Sequence, residues 1–224
     1  MKFTILTLFL NMIRPFLDES VIGRSQKSGV LTVEIRDLRD WATDKHRTVD
    51  DTPYGGGPGM VLKVDIIDRA LADIKAASHQ DTHTILLTPQ GDVFNQQAAT
   101  ALANSNQHVI LLAGHYEGFD ERVRQLVDQE LSIGDFVLTG GELPAAIVID
   151  AVARLLPGVL GNPASLHSET HSSPSPDYPT YTRPETYEPF SKPGIGKLSV
   201  PDVLKSGDHG QIATWRDQHR RPRT

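Results

Sequence analysis

Residues 131–144 read Leu-Ser-Ile-Gly-Asp-Phe-Val-Leu-Thr-Gly-Gly-Glu-Leu-Pro. An apolar run leads into two glycines and a glutamate, and a strongly apolar helical pattern follows Pro144. A strand that turns into a helix in this way is typical of open α/β proteins, where ligands bind at the carboxyl ends of the strands. Because the stretch contains no Lys or Arg, the sequence argues against a polyphosphate ligand at this corner.

The chain up to about residue 158 alternates short apolar runs with helical patterns. The predicted strands are Lys2–Phe9, Leu31–Arg36, Thr84–Thr88, Val109–Ala113 and Ile133–Thr139. The predicted helices are Asn11–Ile22, Val64–Ala77, Gln96–Asn104, Phe119–Val127 and Leu143–Leu156. This alternation predicts a three-layer α/β domain with a mainly parallel sheet.

Composition limits the class of protein. The apolar fraction of 38% and charged fraction of 22% are ordinary for a globular protein. The absence of cysteine excludes disulfides and thiolate metal sites, and it fits a reducing cytosol. The apolar segment Lys2–Phe9 is too short to span a membrane. A net charge of −6 argues mildly against indiscriminate binding to nucleic acid, although two clusters of basic residues leave local patches. We therefore expect a cytoplasmic protein without a membrane segment.

The composition changes after Pro157. Eight of the 15 prolines lie between Asn162 and Pro201, which predicts a mobile linker that cannot fold alone. Beyond it, Pro201 opens a short helix, and Asp208 is placed to cap a last helix that carries Ile212 and Trp215. The predicted division is a main domain at 1–158, a linker at 159–199 and a short helical C-terminal domain at 200–224.

Three predicted strands run into loops that share a chemical character. The loops are Thr88–Gly91, Ala113–Gly118 and Thr139–Glu142, and none contains Lys or Arg. Carboxylates lie in or beside them at Glu117, Asp120, Asp135 and Glu142. Neither the dinucleotide pattern Gly-x-Gly-x-x-Gly nor a P-loop occurs. Glycine turns flanked by acids suit a ligand with a positive centre, such as the sulfonium of S-adenosylmethionine. The alternative, ordinary βα turns, has about equal weight from spacing alone.

A second glycine-rich segment lies at residues 53–60, Pro-Tyr-Gly-Gly-Gly-Pro-Gly-Met. Such a backbone fits closely against another surface, such as a base or a subunit. Residues 46–51 precede it and mix cations, which can meet phosphates, with carboxylates. A flexible surface loop is the alternative, and Tyr54 with its charged neighbours weakens it.

Taken together, the motifs resemble those of the bacterial-type tRNA (guanine-N1)-methyltransferases, a family of the knotted SPOUT class. The matching segments occur in the family's order and span nearly the whole chain. They are Asp44–Met60, Thr88–Gly91, Gly114–Val123, Ser132–Pro144, Ile149–Gly161, Tyr178–Pro184 and Val200–Trp215.

The resemblance implies an architecture and an activity. The expected fold is a SPOUT-type α/β domain with a parallel sheet and a deep trefoil knot, followed by a small helical C-terminal domain that binds tRNA. The expected activity is methylation, dependent on S-adenosylmethionine, of N1 of the guanine immediately 3′ of the anticodon (position 37). The family also implies a homodimer, with each active site built across the subunit interface.

The resemblance further assigns binding residues. The implied cofactor residues are Leu87, Pro89, Gln90, Gly114, Tyr116, Glu117, Ile133, Gly134, Asp135, Phe136, Val137, Leu138, Gly140, Gly141 and Pro144. The implied tRNA-binding residues are His46, Arg47, Asp50, Tyr54, Gly59, Arg183 and Arg216.

Methylation of guanine N1 needs a general base and stabilisation of the charge that develops on O6. The resemblance implies that Arg154 stabilises the charge on O6. It places the base at Glu169, where the family usually has aspartate, and His171 is the substitute candidate. Two further departures are Ala113 and His115, where the family often has Cys and Arg.

Two rival functions remain at this point. One is a SPOUT methyltransferase with a different target nucleotide, and the other is a catalytically weak RNA-binding protein that keeps the cofactor pocket.

Two histidine pairs, His79 with His83 and His167 with His171, lack the rigid helical frame of a zinc site. We therefore predict no protein-bound transition metal, whereas Mg²⁺ stays open as an auxiliary cofactor.

Overall fold

Two compact units make up the protein, Met1–Pro163 and Ala164–Thr224. The computed structural model describes residues 1–105, 107–160 and 178–220. No helix in these ranges is long and apolar enough to cross a membrane.

The first unit alternates strands and helices, as the sequence predicts. Its strands are β1 Lys2–Thr7, β2 Thr32–Asp37, β3 Asp50–Asp51, β4 Val61–Leu62, β5 Thr82–Val93, β6 His108–Ala113 and β7 Gln129–Ser132. Its α-helices are α1 Leu10–Asp18, α2 Ser20–Lys27, α3 Val64–Ala77, α4 Gln96–Asn104 and α5 Glu142–Ala153. Short 3₁₀ helices cover Leu38–Trp41 and Glu121–Leu126.

A five-stranded parallel sheet forms the centre of this unit, in the order β2-β1-β6-β5-β7. All six residues of β6 are buried, because helices cover both faces of the sheet. Side chains such as Phe3 and Leu111 pack with α1, α2, α4 and α5, whereas Leu6 and Leu112 pack with α3 on the opposite face. The predicted α/β class with a parallel sheet is confirmed.

The predicted strand Ile133–Thr139 is wrong. The strand in this region is β7, which ends at Ser132, and the apolar run after it is a loop. Gly134 has a φ of +146°, which a strand residue with a side chain does not adopt. Val137 is 86% exposed, so the apolar residues that predicted a buried strand instead form part of a surface.

Two predicted helices also differ from those observed. The predicted helix Asn11–Ile22 is divided, because Glu19 is extended and Ser20 has a φ of +53°. The predicted helix Phe119–Val127 is a 3₁₀ helix whose first turn is capped by the Asp120 carboxylate, which accepts a hydrogen bond from the Arg122 N–H.

The second unit contains short elements. Strands β8 Thr186–Tyr187 and β9 Leu198–Ser199 pair antiparallel, 3₁₀ helices cover Pro193–Ile195 and Asp202–Lys205, and helix α6 covers His209–Gln218. Asp208 caps α6 by accepting hydrogen bonds from the Gly210 and Gln211 N–H groups, both at 3.0 Å. Residues 178–199, where the composition predicts a linker, therefore contain a small ladder.

Candidate functional site

A cavity of about 410 Å³ opens at the carboxyl edge of the central sheet, where β5, β6 and β7 are neighbours. This volume is within the range of pockets that bind small molecules. The cavity is bordered by segments that follow the buried parts of these three strands. Its position agrees with the general rule that ligands of open α/β sheets bind at this edge.

Residues 88–91 reach the cavity through an irregularity in β5. Leu87 and Asp92 both align with Leu131 of β7, so the four residues between them bulge out of the ladder. Thr88, Pro89 and Gln90 then line the cavity. The bulge explains how a segment predicted to be a loop lies within a 12-residue strand.

Most of the implied cofactor residues come together here. Fourteen of the 15 line the cavity: Leu87, Pro89, Gln90, Gly114, Tyr116, Glu117, Ile133, Gly134, Phe136, Val137, Leu138, Gly140, Gly141 and Pro144. Asp135 does not. Two polar side chains that the sequence interpretation did not assign, His115 and Arg124, also line it.

The four carboxylates of these loops have different surroundings. Glu117 and Asp120 line the cavity, and Asp135 does not. Glu142 is 1% exposed and lies within the protein rather than in the cavity wall. The Arg122 guanidinium, hydrogen-bonded to Asp120, lowers the pKa of that carboxyl to about 2.

Arg124 brings a positive charge to a site whose loops hold none. From the 3₁₀ helix, its guanidinium contacts Glu130 and Gln90, and its Nε lies 2.9 Å from Glu121 Oε1. The hydrogen bonds that Arg124 donates to the carboxylates of Glu130 and Glu121 raise the pKa of Arg124. The loops alone could not reveal it, because Arg124 reaches the cavity from a separate element.

The glycine-rich segment lies along the loop that follows β6. The Leu62 N–H donates to the Gly118 carbonyl at 2.9 Å, and the Asp120 N–H donates to the Leu62 carbonyl at 3.0 Å. Gly59 has a φ of +80°, and a Cβ there would lie 2.4 Å from Glu117 Cγ. Any side chain at Gly59 would therefore displace a cavity-lining carboxylate.

The other implied tRNA-binding residues are distributed over both units. Asp50 lies in β3, paired with Leu62, and Tyr54 is fully exposed. His46 and Arg47 are exposed in the preceding turn, where Arg47 pairs with Asp40. In the second unit, Arg183 is exposed, and the Arg216 guanidinium carbon lies 4.7 Å from the centre of the Tyr178 ring.

Of the two implied catalytic residues, only Arg154 lies in the described part of the chain, and it does not line the cavity. Arg154 is the C-cap of α5. The cavity-lining Gly141 and Pro144 lie at the other end of this helix, about 18 Å away at 1.5 Å per residue. Glu169 and its substitute His171 lie outside the described residues. Across the described ranges, no cluster of three or more His, Asp or Glu side chains could hold a metal ion.

A parallel sheet covered by helices, with a cavity at its carboxyl edge, places the chain among the open α/β proteins, in which this edge is the usual place for a ligand. The model of the tRNA (Guanine-1)-methyltransferase TrmD family matches residues 1–224. The chain belongs to this family.

Similar proteins include three that are named tRNA (guanine-N(1)-)-methyltransferase. The protein from Chloroflexus aggregans is 51% identical, over 100% of this chain and 84% of its own length. The protein from Magnetococcus marinus is 50% identical, over 96% of this chain and 83% of its own. The protein from Deinococcus radiodurans is 48% identical, over 100% of this chain and 77% of its own.

Proposed function

We propose that this chain methylates N1 of guanine in tRNA, at the position immediately 3′ of the anticodon, with S-adenosylmethionine as the methyl donor. The family match over residues 1–224 carries this proposal. The cavity at the carboxyl edge of the sheet supports it, because it has a suitable volume and acidic groups at Glu117 and Asp120.

The residues of the cavity fit this cofactor. The three loops bordering it offer backbone groups for hydrogen bonding, and the loop at 133–139 adds apolar surface from Ile133, Phe136 and Val137. Among the described residues no lysine lines the cavity, and the charge of Arg124 is paired with Glu130 and Glu121. The cofactor supplies an electrophilic methyl group on a sulfonium sulfur.

The chain's own residues then have to activate guanine. N1 carries a proton at neutral pH, so a carboxylate must accept that proton, and we assign this role to Glu169. Arg154 is assigned to O6, where a guanidinium stabilises the negative charge that develops as the N1 proton leaves. Asp50, Tyr54 and Gly59 are assigned to the target nucleotide, and Arg183 and Arg216 to tRNA phosphates.

A homodimer is part of the proposal. Met12 and Phe16 on α1, and Leu143 and Ile147 on α5, are each about half exposed and lie at i, i+4 spacing on two helices that pack together. Such an apolar face is typical of an interface between copies of a chain. The placement of Arg154 at the far end of α5 supports the same partner, because Arg154 would then serve the cavity of the second copy.

The knot and the domain division also belong to the proposal. An antiparallel bridge joins His115 to Gly140, 25 positions further along the chain, so these two segments are neighbours, and the knot itself stays a prediction. We retain the division at 1–158, 159–199 and 200–224, with the last part binding tRNA. Mg²⁺ dependence stays a prediction.

The test is methyl transfer from labelled S-adenosylmethionine to tRNA transcripts carrying either guanine or adenine 3′ of the anticodon. We expect label only in the guanine transcript. Equal labelling of both would indicate a different target nucleotide. Labelling of neither by a folded protein would favour an RNA-binding function.

Variants at the linker test the assignment of the base. Glu169→Gln keeps the size of the side chain but removes its basicity, so kcat should fall by about 10²–10⁴-fold, the usual contribution of a general base. Glu169→Asp should retain more activity than Glu169→Gln. If Glu169→Gln is fully active and His171→Ala is not, the base is His171.

A further inference from the structure

Glu142 is a buried carboxylate, and one of its two oxygens has no hydrogen-bond partner among the described residues. It is the first residue of α5 and 1% exposed. Its Oε1 accepts a hydrogen bond from Thr7 Oγ1 at 2.6 Å, at the end of β1. Its Oε2 is buried and has no hydrogen-bond partner among the described residues. Because an unpaired buried acceptor is costly, this oxygen calls for a donor.

The candidate donor is His115. Its Nδ1 is also buried without a hydrogen-bond partner in the described chain, and it lies 3.7 Å from Glu142 Oε2. The imidazole is held between two aromatic rings, with its centre 4.4 Å from that of Phe9 and 5.2 Å from that of Tyr116. A shift of about 1 Å would bring the two atoms to hydrogen-bonding distance.

The backbone keeps the space between these two groups open. His115 and Gly140 form an antiparallel bridge, and the Gly141 N–H donates to the Gly114 carbonyl at 2.8 Å. A Cβ at Gly140 would lie 2.3 Å from Glu142 Oε2 and 2.5 Å from His115 Nδ1. A side chain at 140 would therefore take the space that a hydrogen bond between them requires.

The pair connects segments that border the cavity. Thr7 ends β1, His115 belongs to the loop after β6, and Gly140 belongs to the loop after β7. His115 and Gly140 line the cavity, whereas Glu142 lies behind it. A bond between His115 and Glu142 would thus join one wall of the cavity to the start of α5 and, through Thr7, to the sheet.

We infer that His115 and Glu142 are a positioning pair, in which His115 Nδ1–H donates to Glu142 Oε2 and holds residues 114–118 in the conformation that binds the adenosyl ligand. This inference rests on the proposed function, because it assumes that the cavity takes this ligand. His115 acts through the loop and does not itself take part in methyl transfer.

Two substitutions separate the hydrogen bond from the bulk of the ring. In His115→Asn, the amide nitrogen takes a position close to that of Nδ1, whereas His115→Leu fills the space without a donor. The probe is S-adenosylhomocysteine, and the readout is its Kd by titration calorimetry on the full chain. We expect His115→Leu to bind about tenfold more weakly and His115→Asn to stay within about threefold of the unmodified chain.

A control histidine is available at the other end of β6. His108 is buried at the start of this strand, at the end opposite the cavity, whereas His115 is partly exposed in the loop after it. We expect His108→Leu to lower thermal stability without changing the Kd of the folded protein. Equal weakening by His115→Leu and His108→Leu would show a general loss of stability and would overturn the inference, as would unchanged binding by His115→Leu.

The protonation of the ring provides a test that needs no variant. Nitrogen-15 NMR of the unmodified chain with S-adenosylhomocysteine should show a proton on Nδ1 of His115. A ring protonated only on Nε2 in the complex would overturn the inference. If the folded unmodified chain does not bind the probe at all, the proposed cofactor is wrong and the inference falls with it. If the unmodified chain binds S-adenosylhomocysteine and His115→Leu binds it with the same Kd, the inference about His115 is wrong but the proposed cofactor is not affected.

Discussion

Two histidines at opposite ends of β6 differ in burial and in hydrogen bonding: His108, at the start of the strand, is buried, whereas His115, in the loop after it, is partly exposed. At the start of the strand, His108 Nε2 lies 2.8 Å from Thr4 Oγ1 and its Nδ1 lies 3.1 Å from Ser78 Oγ, so both ring nitrogens have partners. Beyond the end of the strand, His115 Nδ1 has no hydrogen-bond partner in the described chain. The ring of His108 is thus fully hydrogen-bonded, whereas the ring of His115, beside the cavity, keeps one nitrogen unpaired among the described residues.

Because of this difference, we expect the residues around His108 to contribute mainly to the stability of the fold and the residues around His115 mainly to ligand binding. A complete buried network fixes one conformation and contributes to folding. Unpaired buried groups cost stability and are kept where a ligand or a closed conformation can satisfy them. Substitutions at the cavity end should therefore change ligand affinity most, and substitutions at the other end should change the free energy of unfolding most.

The largest expected effect is at the cavity end. In Gly141→Ala, the new Cβ would lie 2.7 Å from Ala113 Cα and 3.0 Å from the Gly114 nitrogen, both backbone atoms that cannot move cheaply. Strain of about 1–3 kcal/mol is typical of such overpacking. We expect the Kd of S-adenosylhomocysteine, measured by calorimetry, to rise by up to about 100-fold.

Gly194→Ala is the control for this change, because a Cβ at Gly194 meets nothing within 4 Å. It should leave the Kd unchanged. If Gly141→Ala binds as tightly as the Gly194→Ala control, the cavity edge is not closely packed and the comparison between the two ends fails.

An intermediate effect is expected at the other end of β6. His108→Leu removes the hydrogen-bond partner of the buried Thr4 hydroxyl and of the partly buried Ser78 hydroxyl, so the free energy of unfolding should fall by about 1–3 kcal/mol. Denaturant titration by circular dichroism measures this loss. If His108→Leu binds S-adenosylhomocysteine more weakly but is as stable as the unmodified chain, His108 contributes to binding and not to stability, and the comparison of the two histidines is wrong.

The pH dependence sharpens this prediction. Burial lowers the pKa of His108 below its ordinary value of 6.5. Below pH 6.5 the unfolded chain therefore binds a proton that the folded chain does not, so the stability of the unmodified protein falls as the pH falls through this range. His108→Leu should lose less stability than the unmodified chain between pH 7.5 and pH 5. Parallel curves for the two proteins would contradict the assigned cause.

The smallest effect is expected at the rim of the cavity. Asp120 has its pKa lowered to about 2 by Arg122, from an ordinary value of 3.8. The ion pair contributes stability above pH 4, and that contribution is lost as the pH falls through about 2. Because Arg122 is largely exposed, Arg122→Ala should lower the denaturation midpoint at pH 7 only slightly. The difference between the two proteins should shrink as the pH falls from 4 to 2 and vanish below pH 2. A difference that is independent of pH has a cause other than this ion pair.

The positions of the cavity loops could be predicted from the sequence. Thr88–Gly91 and Gly114–Gly118 follow the continuous apolar runs of two strands, and parallel strands bring the ends of these runs to one edge. The run Ile133–Thr139 misled the prediction, because an apolar, partly β-branched run indicates burial but not the backbone conformation. Its side chains instead line a cavity or face solvent.

The contacts between loops could not be predicted in the same way. Glu142 first looked like one of four carboxylates facing a ligand, but the helix start places it behind the cavity wall against Thr7. Arg124 enters the cavity from a 3₁₀ helix that sequence periodicity indicated as an α-helix. Each of these placements depends on where a neighbouring element packs.

The sequence by itself determined the α/β class, the ligand edge of the sheet and the family, because these follow from the order of apolar runs and from motifs that are local in the chain. Only the tertiary structure decided that His115 faces Glu142 and that both ring nitrogens of His108 have hydrogen-bond partners. Such pairings join residues far apart in sequence, and their geometry is set by the packing of several elements at once, at distances where 1 Å determines whether a hydrogen bond forms.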